Sequence, residues 1–256
     1  MRFILLTLFF IISCKEKKTS STIEKNVPSK IIEVNTKDSA EVVLDISKDF
    51  VLGKFNYRQD TSFIKVSKSH SSKTIYLKKE VYHSFIKMYD QAKSENINLK
   101  IISGTRNFYE QKAIWERKWG RYKNLSPIDR AKKILEYSSM PSTSRHHWGT
   151  DLDLNNLNNS YFEKGRGAKE YDWLIENANA YGFYQVYTSK EAGRKGYNLE
   201  KWHWSYIPLS EKYLKFYNDS ISFNDIKGFK GAGLSKELDV VNVYVNGISK
   251  QLIEEE

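Results

Sequence analysis

Ser144-Arg145-His146-His147-Trp148-Gly149-Thr150-Asp151-Leu152-Asp153-Leu154-Asn155 is the stretch on which the reading of this chain turns. From Asp151 to Asn155 it alternates acid, leucine, acid, leucine, asparagine, the two-residue period of a β-strand. Asp151, Asp153 and Asn155 then share one face, while Leu152 and Leu154 point to the core. Residues 140–148 ahead of it read as a loop that delivers two adjacent histidines to the head of the strand. A second segment, Glu200-Lys201-Trp202-His203, sets a glutamate three residues before a histidine. The two segments hold three of the five histidines, so the candidate chemistry gathers around two strands.

Helical spacing follows on both sides. Lys78 to Asn96 brings Val81, Phe85, Met88 and Ala92 to one side of a helix. Leu99 to Ile102 reads as a buried strand, and Asn107 to Lys118 as a second helix. Ser126-Pro127 is an N-cap and first helical residue, opening a helix to about Tyr137. Lys169 to Tyr181 is an amphipathic helix with Gly182 in the stop position. Phe183 to Tyr187 and Trp202 to Tyr206 are strand candidates, and Phe50 to Val66 forms a short strand pair or an arm. Residues 210–256, with the valine-rich run Val240 to Val245, receive no role. This order predicts an α+β fold: a small antiparallel sheet carrying the metal site, flanked by helices. It excludes a barrel or a Rossmann fold.

Zinc takes imidazole and carboxylate ligands in tetrahedral sites, and a catalytic zinc keeps one position for water. The loop offers His146 or His147, the strand after it Asp151 or Asp153, and the later strand His203. Glu200 lies just ahead of that ligand, within reach of a water that the metal acidifies. Trp202 and Trp204, as neighbours of His203 in a strand, are expected on the opposite face as core supports. Spacing alone does not choose between the two histidines or between the two aspartates.

Composition narrows the function class. Among 256 residues, 17 Tyr, 13 Phe and 6 Trp can fill a substantial core, which excludes global disorder. The formal charge of +10 comes mostly from dispersed lysine, with no tight basic block and no nucleic-acid module. No nucleic-acid partner is expected. At the start, Met1-Arg2 precedes an apolar run from Phe3 to Ile12, too short to span a bilayer comfortably but suited to an export signal. Ile11-Ile12-Ser13-Cys14 resembles a bacterial lipobox, with Cys14 as the lipidated residue. Cys14 is the only cysteine, so no internal disulfide forms. The expected layout is a signal with lipobox over 1–14, a flexible Lys/Ser/Thr/Glu-rich tether over 15–45 and a folded domain carrying the zinc site, with N- and C-terminal extensions, over 46–256.

The first segment resembles the Ser-x-His-x-x-Gly-x-Ala-x-Asp motif of the D-alanyl-D-alanine carboxypeptidases of the VanY type, zinc enzymes grouped with lysostaphin and the hedgehog domain. The motif falls on Ser144, His146, Gly149 and Asp153. The second segment is similar to the family's Glu-x-Trp-His, on Glu200, Trp202 and His203. Upstream, Ser103-Gly104-Thr105-Arg106 with Gln111 resembles Ser-Gly-Tyr-Arg followed by glutamine. The resemblance implies one zinc per chain on His146, Asp153 and His203, a metal-activated water as nucleophile and Glu200 as general base. It gives Arg106 the scissile carbonyl and its developing charge, and has Ser144 and Gln111 hold the peptide end. It implies that the substrates are peptidoglycan stem peptides, losing a terminal D-alanine. The same motifs serve L,D-carboxypeptidases and peptidoglycan endopeptidases, and a non-catalytic wall-binding lipoprotein is the remaining alternative. With the lipobox, the expected location is the bacterial cell envelope, lipid-anchored, on the periplasmic or outer-membrane side. Thr105 departs from the family's tyrosine and Asp151 from its small residue. Asp151 could orient a ligand or alter substrate choice, and His147 could support the site or simply pack.

Overall fold

The structure is a computed structural model, and it describes residues 46–249. The signal, Cys14 and the tether expected over residues 1–45 lie outside the described residues. The chain enters through a one-turn helix, α1 (Lys48–Val51), then an antiparallel pair, β1 (Phe63–Lys65) and β2 (Tyr76–Lys78). There follow α2 (Lys79–Ser94), β3 (Ile101–Ser103), α3 (Phe108–Arg121) and α4 (Pro127–Leu135). A 3-10 turn over Arg145–Trp148 leads into β4 (Asp151–Leu154), then come α5 (Gly165–Asn177), β5 (Phe183–Gln185), β6 (His203–Tyr206) and α6 (Ile207–Ser220). The second sheet runs β3-β4-β6-β5, antiparallel throughout. This is the α+β arrangement expected from the sequence.

Local chemistry explains the helices that frame the site. Asn107 caps α3: its side chain accepts from the Glu110 N–H, and the Glu110 carboxylate accepts from the Asn107 N–H, both at 2.9 Å. That reciprocal box satisfies two otherwise orphaned donors. Ser126 caps α4 through the Asp129 N–H, with Pro127 in the first turn. On α2, Val81, Tyr82, Phe85, Met88 and Ala92 form the buried face.

β4 lies between β3 and β6 and divides the interior. Leu152 and Leu154 enter an apolar core with Trp204, Phe183, Phe85, Leu174 and Tyr217. Burying each leucine is worth roughly 1.5–3 kcal/mol. A second apolar cluster sits where α3 and α4 meet the segment from Val240 to Ile248. There Trp115, Ile134, Leu135 and Met140 pack with Val186, Tyr197, Val240 and Ile248. The valine run, unassigned from sequence, forms a π-helical turn at Val241–Val245 and gives Val240 to this cluster and Val245 to the first core.

Three expectations shift. Phe50 to Val66 supplies the end of α1, a loop and β1, not a strand pair of its own. α5 begins at Gly165, ahead of Lys169, although two glycines weaken the helical signal there. Gly167 is required because a Cβ would come within 2.0 Å of the Tyr161 carbonyl oxygen. Trp202 precedes β6 and lines the cleft instead of backing the sheet, while Trp204 does enter the core.

Candidate metal centre

Strand register builds the site. Asp153 stands opposite His203 on β6 and, across a register shift, opposite Ser103 on β3. Asp151 stands opposite Ser205, so Asp151, Asp153, His203 and Ser205 share the face away from the leucine core. His146 arrives from the 3-10 turn. Gly149 ends that turn at φ +73, where a Cβ would meet the Phe63 ring at 2.3 Å. Only glycine accepts both the backbone and the close approach.

His146 Nε2 lies 3.5 Å from Asp153 Oδ1, and His203 Nδ1 lies 3.1 Å from the same oxygen. One ligand atom from each of the three residues falls within 4.8 Å of the others. The remaining ring nitrogens are engaged. His146 Nδ1 donates to the Gly104 carbonyl at 2.9 Å, which leaves the Nε2 lone pair facing the cluster. His203 Nε2 bonds Asp151 Oδ2 at 2.8 Å, which directs Nδ1 inward. A metal-ligating histidine typically gives its other N–H to a carbonyl or carboxylate in this way. Burial works against charge on His203, but Asp151 and Asp153 outweigh it and push the imidazole up to about 9. Burial also opposes ionisation of Asp153, yet His146 and His203 hold it well below the usual carboxylate range. Two imidazole nitrogens, one carboxylate and a field that favours positive charge at their meeting point fit a zinc ion.

His147 is held apart. Its Nδ1 donates to the Arg106 carbonyl at 2.7 Å and its Nε2 accepts from the Ser142 N–H at 3.1 Å. Burial lowers it to about 3, so it stays neutral. Both nitrogens are taken, and the ring ties the loop to the backbone that bears Arg106.

Arg106 reaches the cluster from the turn after β3. Its Nε donates to Gln111 Oε1 at 3.0 Å, one Nη to Ser103 Oγ, and the guanidinium lies 3.9 Å from Asp153 Oδ2. Gln111, expected at the peptide end, is bonded at both ends of its amide, with Nε2 on the Ser139 carbonyl at 2.8 Å. In this geometry it positions Arg106. Thr105 bonds the Tyr76 carbonyl and stands outside the cleft lining. Glu200 Oε2 lies 3.6 Å from His203 Nδ1. Burial, countered by His203 and reinforced by Asp153, pushes its carboxyl up to about 8.

These groups line a cleft of about 660 Å³, with Ser144, Tyr187, Tyr197, Trp202 and Leu157 along its walls. Sequence reasoning did not find Arg145 and Tyr187 as members of the site. Arg145 pairs with Asp151 at 3.0 Å, fully buried. Tyr187 packs its ring 4.5 Å from that of His203. The signal for the first was present: an arginine and an aspartate in one buried stretch require each other.

Comparison with known proteins points to one family. The model of the D-alanyl-D-alanine carboxypeptidase VanY matches residues 74–209. The protein YodJ of Bacillus subtilis (strain 168), whose name assigns it provisionally to the carboxypeptidases, is 28% identical over 134 residues, 52% of this chain and 46% of that protein. A D-alanyl-D-alanine carboxypeptidase of Enterococcus faecium is 29% identical over 136 residues, 53% of this chain and 39% of that one. The chain thus spans less than half the length of these curated relatives. The solved structure of the LD-carboxypeptidase LdcB shares the fold, with a TM-score of 0.51 at 20% identity over 79% of this chain and 80% of that chain. Since His146, Asp153, His203, Arg106 and Glu200 all fall inside the matched residues, over half of the sequence, the chain belongs to the VanY family of D-alanyl-D-alanine carboxypeptidases.

Proposed function

We propose that this protein is a zinc-dependent carboxypeptidase that removes the terminal D-alanine from peptidoglycan stem peptides. The observation that carries the reading is the meeting of His146, Asp153 and His203, with Glu200 beside His203 and outside the ligand set. When bound there, zinc supplies Lewis acidity, polarising a carbonyl and bringing the pKa of water toward ~7. Beside such a cation the Glu200 carboxyl comes down from about 8, toward the working pH. Glu200 then takes a proton from water at its carboxylate oxygen and returns it to the leaving amine. Arg106, held by Gln111 and Ser103, offers its guanidinium to the carbonyl oxygen as negative charge develops. Asp151 keeps His203 turned toward the metal, and Ser144 faces the end of the peptide.

Mass spectrometry of purified stem peptides, incubated with the zinc-loaded protein, tests this. Loss of one alanine from the pentapeptide supports it. Loss of alanine from the tetrapeptide alone identifies an L,D-carboxypeptidase, cleavage of a cross-link an endopeptidase, and no change a wall-binding protein.

The proposal includes location. The apolar run from Phe3 to Ile12, followed by Ser13-Cys14, supports a lipid anchor at the cell envelope. Stable anchoring takes more than one acyl chain, as lipoprotein processing provides. Detergent-phase partitioning of the full chain, lost in Cys14→Ser, is the expected result, and an aqueous wild type removes the anchor.

A further inference from the structure

We propose that Tyr244 and Arg194 are positioning residues: they brace the loop between β5 and β6 against residues 240–249 and so hold Glu200 in place for the reaction. The inference rests on the carboxypeptidase reading above for the role of Glu200. It goes beyond that reading because the brace comes from residues past the family match, which ends at 209.

Residues 186–202 join β5 to β6 and carry Tyr187, Arg194, Tyr197 and Glu200, yet they form neither helix nor strand. No regular hydrogen-bond ladder fixes such a loop, so side chains and neighbouring backbone must do so. Arg194, buried within it, supplies most of the ties. Its Nε and Nη2 donate to the Thr188 carbonyl at 3.1 and 2.6 Å, and Nη2 also to the Tyr197 carbonyl at 2.7 Å. Its Nη1 donates to the Lys195 carbonyl at 2.9 Å and to the Gly247 carbonyl at 3.0 Å. With all five N–H groups spent on backbone carbonyls, the guanidinium fork works as a clamp, and one of its grips is on residues 240–249. The Ser249 N–H donates to the Val186 carbonyl at 2.9 Å, at the start of the loop. Between these ties, Gly196 lies so near that a Cβ there would come within 2.4 Å of the Val243 carbonyl oxygen.

A row of rings runs from this brace to the metal centre. Tyr244, in the π-helical turn, packs edge-on against Tyr197 with ring centres 5.1 Å apart. Tyr197 packs against Tyr187 at 4.9 Å, and Tyr187 against His203 at 4.5 Å. Glu200 is tied to the same row through its backbone. Its N–H donates to the Tyr187 carbonyl at 3.0 Å, and its carbonyl accepts from Gln185 Nε2 at 3.1 Å and from the His203 N–H at 3.2 Å. Close-packed side chains relax toward a void when a neighbour is cut back. Loss of the Tyr244 ring therefore loosens Tyr197, then Tyr187, then the peptide that places Glu200. A general base must stand within hydrogen-bond reach of the proton it takes, so the cost of a small shift falls on turnover more than on binding.

The test uses the zinc-loaded full chain. Tyr244→Leu removes the ring, Tyr244→Phe keeps it, and Arg194→Lys keeps the cation without the fork. Val240→Ala is the control: Val240 is buried in the same segment but outside the row of rings, so its truncation costs stability alone. Zinc content and melting temperature are measured for each variant. Amide exchange across residues 186–203 and turnover of a peptide ending in D-Ala-D-Ala are then read well below the melting temperature. In Tyr244→Leu and Arg194→Lys, exchange over that stretch should speed up by about tenfold or more. Their kcat should fall by roughly ten- to a hundredfold, with KM within about threefold of wild type. Tyr244→Phe should match wild type on both readouts, and Val240→Ala should lower the melting temperature with neither change. Exchange at the wild-type rate in Tyr244→Leu and Arg194→Lys overturns the positioning role and leaves the carboxypeptidase reading standing. A fall of kcat in Val240→Ala as large as that in Tyr244→Leu does the same. If wild type cleaves no stem peptide, that reading falls, and exchange alone decides the brace. Faster exchange confined to Tyr244→Leu and Arg194→Lys then supports it, and equal exchange in Val240→Ala overturns it.

Discussion

The two faces of β4 are equally hidden from water and opposite in chemistry. Leu152, Leu154 and Asp151 are fully buried, and Asp153 is 5% exposed. The leucines need only apolar neighbours, which α2, α5 and α6 provide. The aspartates need their lone pairs matched one by one. Asp151 accepts from His203, Arg145, Thr150 and Ser205, all within 3.0 Å. Buried ion pairs of this kind seldom add stability over an apolar replacement, because desolvation offsets the attraction. The leucine face therefore holds the fold, and the acidic face is kept for what it holds in place.

The sharpest way to break that contrast is to remove a group from the acidic face. His146→Ala and His203→Ala should lose the zinc, as measured by metal analysis. Glu200→Ala should keep zinc and fold while turnover falls by ~10²–10⁴-fold, the usual worth of general-base catalysis. Near-wild-type turnover in Glu200→Ala would remove the proposed proton transfer altogether.

On the opposite face, Leu154→Ala should cost ~2–5 kcal/mol, as buried leucine truncations do. Urea unfolding measures it, and zinc stoichiometry below the unfolding midpoint should not change. A loss of zinc matching the loss of stability would show that the two faces are one unit.

Between these extremes lies Asp151, which bonds a proposed ligand without joining the ligand set. Asp151→Asn should weaken zinc by ~10–100-fold, the range for groups that orient a ligand. Competition against a chelator gives the number. Unchanged affinity would mean that the register of β4 and β6 alone orients His203.

How far the sequence carried this picture differs between the faces as well. The alternation from Asp151 to Leu154 was legible because a strand buried on one side by apolar residues has a two-residue period. So were Ser126-Pro127 and Gly182, whose backbone roles few other residues fill. The choice of His146 over His147 was not legible from spacing. It depends on the Arg106 carbonyl and the Ser142 N–H, which lie on separate stretches of chain and engage both nitrogens of His147. Arg145 was passed over although its ion-pair partner Asp151 stands in the same stretch; only its second partner, Ser205, lies 60 residues away. The tail was unreadable for a related reason: Val240 and Ile248 are apolar for the sake of Trp115 and Val186, not of each other.

The smallest expected effect concerns a histidine at the edge of the leucine-side core. His70 Nδ1 lies 2.8 Å from Tyr82 Oη, which itself accepts from the Ser67 N–H at 2.9 Å. The tyrosine proton is thus directed at Nδ1, and the ring packs against Tyr89 and Phe85. Burial lowers the His70 pKa, Lys100 and Lys93 lower it further, and Asp90 opposes them. In the unfolded chain the imidazole takes its proton near pH ~6.5. The folded state takes it only at lower pH, so the contribution of neutral His70 is complete above that value and is lost as pH falls through the folded pKa. Because the ring is partly exposed, solvent screening keeps the effect small. The measurement is the urea midpoint at pH 7.5 and 5.0, for wild type and for His70→Gln, both without metal. The drop should be smaller in the variant, since changes at the metal centre cancel in the difference. Equal drops would assign the acid sensitivity to the aspartate face alone and make the contrast between the two faces complete.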